Sequence, residues 1–148
     1  MKIPPPVVLL VAAILIYGAA QYFPSAGFRL PGGWWTAGAI MAFGLSIDLL
    51  SVLTFRRSRT TVNPIHVEQA SSLVTSGPFR FSRNPMYLGM AILLTGFGLG
   101  MGTWGTPAVL GLFIWWITTQ QIAREEPAME ALFGDAFRTY KTRVRRWI

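Results

Sequence analysis

The chain has 148 residues, 52% hydrophobic, 14% aromatic and only 13% charged, with a net charge of +7. Soluble domains hold about 25% charged residues, so this chain is short of the polar surface a globule in water needs, and its six tryptophans suit a bilayer interface. Without cysteine, and with His66 as its one histidine, it has no disulfide, no thiolate chemistry and no multi-histidine metal site, and no glycine fingerprint after a strand pattern starts a nucleotide-binding α/β domain.

Four apolar stretches, residues 7–23, 34–55, 87–101 and 104–122, approach the roughly 20 residues that cross about 30 Å of hydrocarbon. Pro4, Pro5 and Pro6 open the first. Lys2, the apolar run and Gly18 and Ala20 before Gln21 have the outline of a secretory signal, but one charge and a long run predict a retained span. In the second, Asp48 lies about seven residues from the end, some 10 Å deep. It is either a functional intramembrane acid or one paired with a loop arginine or a nearby hydroxyl. The loop 56–82 is rich in turn formers, and His66 reads as a surface residue of it. Gly100, Gly102 and Gly105 join the third and fourth stretches as a helical hairpin, and the glycines from Gly96 onward read as helix-packing positions.

Beyond residue 122, Glu126 before Pro127 predicts a break, with Pro127 opening a new helix, Gly134 stopping it and Asp135 capping the last one. Phe133, Phe137, Tyr140, Val144 and Trp147 form one stripe, with Arg138, Lys141, Arg143, Arg145 and Arg146 around it. This predicts a basic amphipathic helix on the cytoplasmic leaflet, with no nucleic acid as partner. The expectation is thus an all-α polytopic membrane protein of about four transmembrane helices, ending in the hairpin and the amphipathic helix. It forms a single domain, 1–148, with two N-terminal spans in 1–55 and the loop, hairpin and final helix in 56–148. With both termini inside, twelve of the thirteen basic residues are cytoplasmic and only Arg29 is outside, as the positive-inside rule requires. A bacterial inner membrane is the expected location.

In this topology three polar clusters share one side: Leu73-Val74-Thr75-Ser76-Gly77-Pro78-Phe79-Arg80, then Ser82-Arg83-Asn84-Pro85-Met86-Tyr87-Leu88-Gly89, then Arg124-Glu125-Glu126-Pro127. Two adjacent acids can bind a cation or a diol, and Asn84 and Tyr87 offer neutral donors and acceptors. No residue reads as an activated nucleophile, no catalytic residue is assigned and no metal is expected. A cofactor bringing its own reactive centre fits better. The order and spacing of Leu73-Val74-Thr75-Ser76-Gly77, Arg83-Asn84-Pro85-Met86-Tyr87-Leu88-Gly89, Glu125-Glu126, Phe133-Gly134 and Tyr140 resemble the isoprenylcysteine carboxyl methyltransferases and the related phospholipid methyltransferases, over the chain from Thr60 onward.

The resemblance implies S-adenosyl-L-methionine as cofactor, with Asn84 and Tyr87 lining its pocket beside Leu73, Val74 and Phe79, and Glu125 with Glu126 binding it from the other hairpin leg. Asn84 stands where the eukaryotic carboxyl methyltransferases have His, and Gln121 where they have an arginine that meets the substrate carboxylate. Gln121 and Arg124 are the candidate acceptor-binding residues. The implied reaction is methyl transfer at the cytoplasmic membrane face to a lipophilic acceptor, either an isoprenylcysteine carboxylate or another small lipophile. One alternative is N-methylation of a phospholipid amine. Another is a non-enzymatic four-span transporter or assembly factor, which would carry its ionisable groups at mid-membrane, where only Asp48 lies.

Overall fold

The computed structural model describes residues 3–23, 27–58 and 72–148. The expectations about Lys2 and His66 lie outside them. Helix α1, Pro5–Tyr22, begins where Pro4 is still extended, with Pro5 and Pro6 in a first turn that needs no N–H donors. Helix α2, Gly33–Arg57, leaves a turn in which Gly32 takes φ 78°, and it ends on Arg56 and Arg57, cations at the negative end of the helix dipole. A 3₁₀ turn, Gly77–Arg80, leads into α3, Pro85–Met101, which closes on Gly102 at φ 65° with its N–H on the Gly98 carbonyl. Helix α4, Thr106–Trp116, runs through a π turn, Ile117–Ile122, into α5, Ala123–Arg143. Among the described residues every regular element is helical, which is the expected class.

Of the four expected spans, α1 and α2 are long and apolar enough to cross a bilayer, whereas α3 is apolar but has 17 residues. The large apolar side chains Leu10, Ile14, Phe43, Leu49, Leu50 and Leu112 are exposed, and Trp35 is 90% exposed. Such faces need lipid to cover them.

Helix α3 is the hub. On one side, Ala12 and Ile16 of α1, Tyr87, Ala91 and Leu94 of α3, Phe113 of α4 and Ile117 and Ile122 of the π turn form one core. On the other side α2 and α3 meet backbone to backbone. A Cβ on Gly44 would lie 2.7 Å from the Gly89 carbonyl oxygen and 2.8 Å from the Leu93 nitrogen, and one on Gly96 would lie 2.9 Å from the Ala37 carbonyl oxygen. The glycine run is therefore packing surface. Phe28 N–H donates to the Gly102 carbonyl at 2.7 Å and Gly27 bridges Thr103, so the α1–α2 connection and the α3–α4 turn lie at the same end.

The C-terminal part corrects some expectations and bears out one. Pro127 opens no new helix: α5 runs through it, and the irregularity falls upstream in the π turn, whose shifted carbonyl pairing precedes the proline. Gly134 does interrupt the helix as expected: at φ 51°, ψ −125°, a non-helical conformation suited to glycine, two helical stretches of α5 meet across a kink, while the Asp135 carboxylate, just beyond it, accepts from the Arg138 guanidinium at 2.9 Å and not from a backbone N–H. The amphipathic stripe outruns its helix: Val144 is extended (φ −125°, ψ 130°), leaving Val144 and Trp147 beyond it. Phe137 and Tyr140 are buried within the protein, so this part of the stripe does not face a leaflet.

Candidate cofactor and acceptor site

The hairpin brings its two legs together around Glu125. Tyr87, one turn into α3, donates its hydroxyl to Glu125 Oε1 at 2.7 Å, and Gln121 Nε2 donates to the same oxygen at 2.6 Å. Tyr87 is 6% and Gln121 8% exposed. Gln121 belongs to the π turn, whose wider register sets the angle at which the end of the α4 leg presents Gln121 and Glu125 to α3. A carboxylate receiving two donors away from bulk water is held in one orientation.

Glu126 faces a different set. Arg146 reaches it with Nε to Oε1 at 3.1 Å and Nη2 to Oε2 at 2.5 Å, and Arg83 Nη1 lies 3.1 Å from Oε1. The hydrogen bonds to Glu126 raise the pKa of Arg146. The Arg83 Nε is buried without an acceptor, so this guanidinium is committed by charge more than by hydrogen-bond geometry.

Residues 82–84 strap the C-terminal segment to the mouth of α3. The Arg83 N–H donates to the Arg145 carbonyl at 3.0 Å, and Asn84 Nδ2 to the Arg146 carbonyl at 3.0 Å. Trp147 Nε1 then donates to Thr118 Oγ1 in the π turn at 3.3 Å. Asn84 is thus occupied by backbone.

Phe79 is buried, edge-on to Phe55 of α2 with ring centroids 4.9 Å apart, and its carbonyl accepts from the Tyr140 hydroxyl at 2.6 Å. Val74 is buried and Leu73 partly so just before it. Burial pushes the Tyr140 hydroxyl pKa up, with the nearby Arg83 charge opposing.

Of the expected residues, the structure joins Tyr87, Gln121 and Glu125 directly. It places Asn84 and Glu126 on the C-terminal strap, and Leu73, Val74 and Phe79 at the end of α2. Arg124 is exposed and donates to Gln120 Oε1 at 3.1 Å, outside the Tyr87–Glu125 contact. Sequence reasoning missed the clamp of Arg83 and Arg146 on Glu126, because Arg146 reads as one more charge around the amphipathic stripe. Beside Glu126 opens a groove of about 450 Å³ whose lining includes Ala123, Pro127, Glu130, Arg138, Lys141 and Arg146.

Two helices long and apolar enough to span, with a polar cluster where the hairpin opens, are features of a membrane protein. The sequence profile of the phospholipid methyltransferase family matches residues 33–136. The chain belongs to the phospholipid methyltransferase family. It is 31% identical over 105 residues to a probable protein-S-isoprenylcysteine O-methyltransferase of Oryza sativa subsp. indica, covering 71% of this chain and 55% of the rice protein. It is also 31% identical over 72 residues to the protein-S-isoprenylcysteine O-methyltransferase of Schizosaccharomyces pombe, covering 49% of this chain and 30% of that one. An uncharacterized protein of Haemophilus influenzae is 45% identical over 65 residues, 43% of this chain and 100% of that protein. The chain spans less than two thirds of the length of either isoprenylcysteine methyltransferase. No solved structure matches.

Proposed function

We propose that the chain is a single-domain integral membrane enzyme that transfers a methyl group from S-adenosyl-L-methionine to a lipophilic acceptor at the cytoplasmic face, with α1 to α4 and the π turn as four spans and both termini inside. The observation that carries this reading is the buried contact of Tyr87, Gln121 and Glu125 across the hairpin. It fixes an acid at the membrane interface without making a nucleophile, as a site must when its cofactor carries the reactive carbon.

The residues fit such a cofactor by their chemistry. S-adenosyl-L-methionine has a ribose diol, an amino-acid end of both charges and a flat base. Glu125 with Glu126 supplies acceptors and Arg138, Lys141 and Arg146 of the groove supply cations, while Leu73, Val74 and Phe79 stand apart from that groove at the end of α2, Val74 and Phe79 buried. Bound there, the cofactor supplies an electrophilic methyl on a sulfonium. The chain's part is to align and desolvate: Tyr87 and Gln121 hold Glu125 in place, and the strap at residues 144–148 shields the mouth of α3. Placing the reacting atoms about 3 to 3.5 Å apart in line can supply several kcal/mol of the barrier.

On the acceptor side, Gln121 is neutral and gives one of its two amide N–H groups to Glu125, so it provides no charged clamp for a carboxylate. That favours, as a second reading, a phospholipid or other amine over an isoprenylcysteine carboxylate. Calorimetry of the detergent-solubilised protein with S-adenosylhomocysteine tests the cofactor. Binding is expected in the wild type, and Tyr87→Phe or Glu125→Ala should weaken it about tenfold or more, the worth of a hydrogen bond to a charged group. Absence of heat from correctly folded wild type at millimolar ligand would sink the reading.

A further inference from the structure

The seam between α2 and α3 holds an acid that the cofactor site does not use. Asp48 lies on the α2 stripe that includes the buried Ala37, Gly44 and Ser51, and its carboxyl group rests on Gly89. A Cβ at residue 89 would come within 2.7 Å of Asp48 Cγ, so the carboxylate occupies room that only glycine leaves. Asp48 Oδ1 is fully buried and accepts no hydrogen bond. The hydroxyls near it along α2 are turned onto their own helix: Ser46 donates to the Phe43 carbonyl, Ser51 to the Ile47 carbonyl and Thr54 to the Leu50 carbonyl, each at 2.7 Å. Ion pairs among the described residues go to Glu126, Glu130 and Asp135. Tyr87 is committed to Glu125, and with two residues turning a helix by about 200° it lies on the face of α3 opposite Gly89. Neither the loop arginine nor the hydroxyl considered for Asp48 is there among the described residues.

The group is reachable. Asp48 is only partly covered, and beside it on α2 stand the exposed Leu45 and Leu49, side chains of a helix that is long and apolar enough to span. Among the described residues this position has no donor of positive charge, and its neighbours on α2 are apolar. The ligand chemistry that answers both is an ammonium group on an apolar chain.

We propose that the Asp48 seam binds the ammonium end of a membrane-soluble amine, which enters sideways from the bilayer past Leu45 and Leu49. That this amine is the methyl acceptor rests on the methyltransferase reading above; the binding itself does not. The partly exposed carboxylate of Asp48 accepts from the ammonium, and Gly89 leaves the room in which its buried oxygen Oδ1 sits. The site selects against acceptors ending in a carboxylate, which an unpaired acid repels.

The test uses the full chain in phosphatidylcholine nanodiscs, with thermal melting followed during titration of dodecylamine and, separately, dodecanoate. Dodecylamine should raise the melting temperature of the wild type and dodecanoate should not. In Asp48→Asn the amine midpoint should move up by about tenfold, the loss of one charge-assisted bond. An equal response to dodecylamine in wild type and Asp48→Asn, or an equal response of the wild type to dodecanoate, overturns the proposal. Should Asp48→Asn fail to fold, Gly89→Ala, which displaces the carboxylate, must lose the amine response, and its retention overturns the proposal. S-adenosylhomocysteine binding measured on the same wild-type sample reports separately on the methyltransferase reading.

Discussion

The Tyr140 hydroxyl donates to the Phe79 carbonyl at 2.6 Å and lies 3.5 Å from that of Ser82, tying α5 to the 3₁₀ turn and, through Phe79 and Phe55, to α2. Burial raises its pKa above the usual tyrosine value, so its contribution to stability is complete below about pH 10, where an unfolded tyrosine would ionise, and is lost as the pH climbs through the folded value. Unfolding in detergent at rising pH should therefore show wild type losing its advantage over Tyr140→Phe above about pH 10. A constant difference between the two would mean the hydroxyl is not buried. At this scale the sequence was partly legible. That the clusters holding Tyr87 and Glu125 come together was legible because a hairpin must bring its two legs together, whereas their direct hydrogen bond was not. The Arg146 clamp on Glu126 was not legible, since 20 residues and a bend at Gly134 separate the pair, and an arginine beside an apolar stripe looks the same whether it faces water or an acid.

Among the elements, helix ends were the most readable, because they rest on local rules: prolines at the starts of α1 and α3, and a left-handed glycine at the end of α3. The π turn had no sequence marker. It costs the chain regular i→i−4 bonds, which only tertiary packing of Ile117 and Ile122 into the core can offset, and it moved the irregularity away from Pro127, where local rules placed it. The glycine seam between α2 and α3 illustrates the opposite case at Gly96, where residue size alone predicted close packing and the backbones come into contact, while the Gly44–Gly89 contact beside it was not foreseen. Gly44→Ala should destabilise the protein by about 1–3 kcal/mol, because its methyl would meet the Gly89 carbonyl and the Leu93 nitrogen in a tight backbone contact. A fall in melting temperature in detergent checks this; Gly38→Ala, where a Cβ meets nothing within 4 Å, is the control that should leave it unchanged.

For the whole molecule, composition alone separated it from soluble domains, and the apolar exteriors of α1 and α2 carry that reading into three dimensions. Charge asymmetry supplied an orientation that side-chain geometry does not address, while the family profile over residues 33–136 supplied the class of chemistry. In the protein the hairpin mouth, the strap at residues 144–148 and the acids Glu125 and Glu126 meet at one place. The most direct measurement is transfer of a labelled methyl from S-adenosyl-L-methionine, by purified protein in nanodiscs, into added lipid and lipophilic extracts. Label should appear in an organic-soluble product with wild type and fall by about 10²-fold or more with Glu125→Ala, as loss of a preorganised charged group predicts. Folded wild type that binds no S-adenosylhomocysteine and leaves every extract unlabelled would contradict methyl transfer at this site.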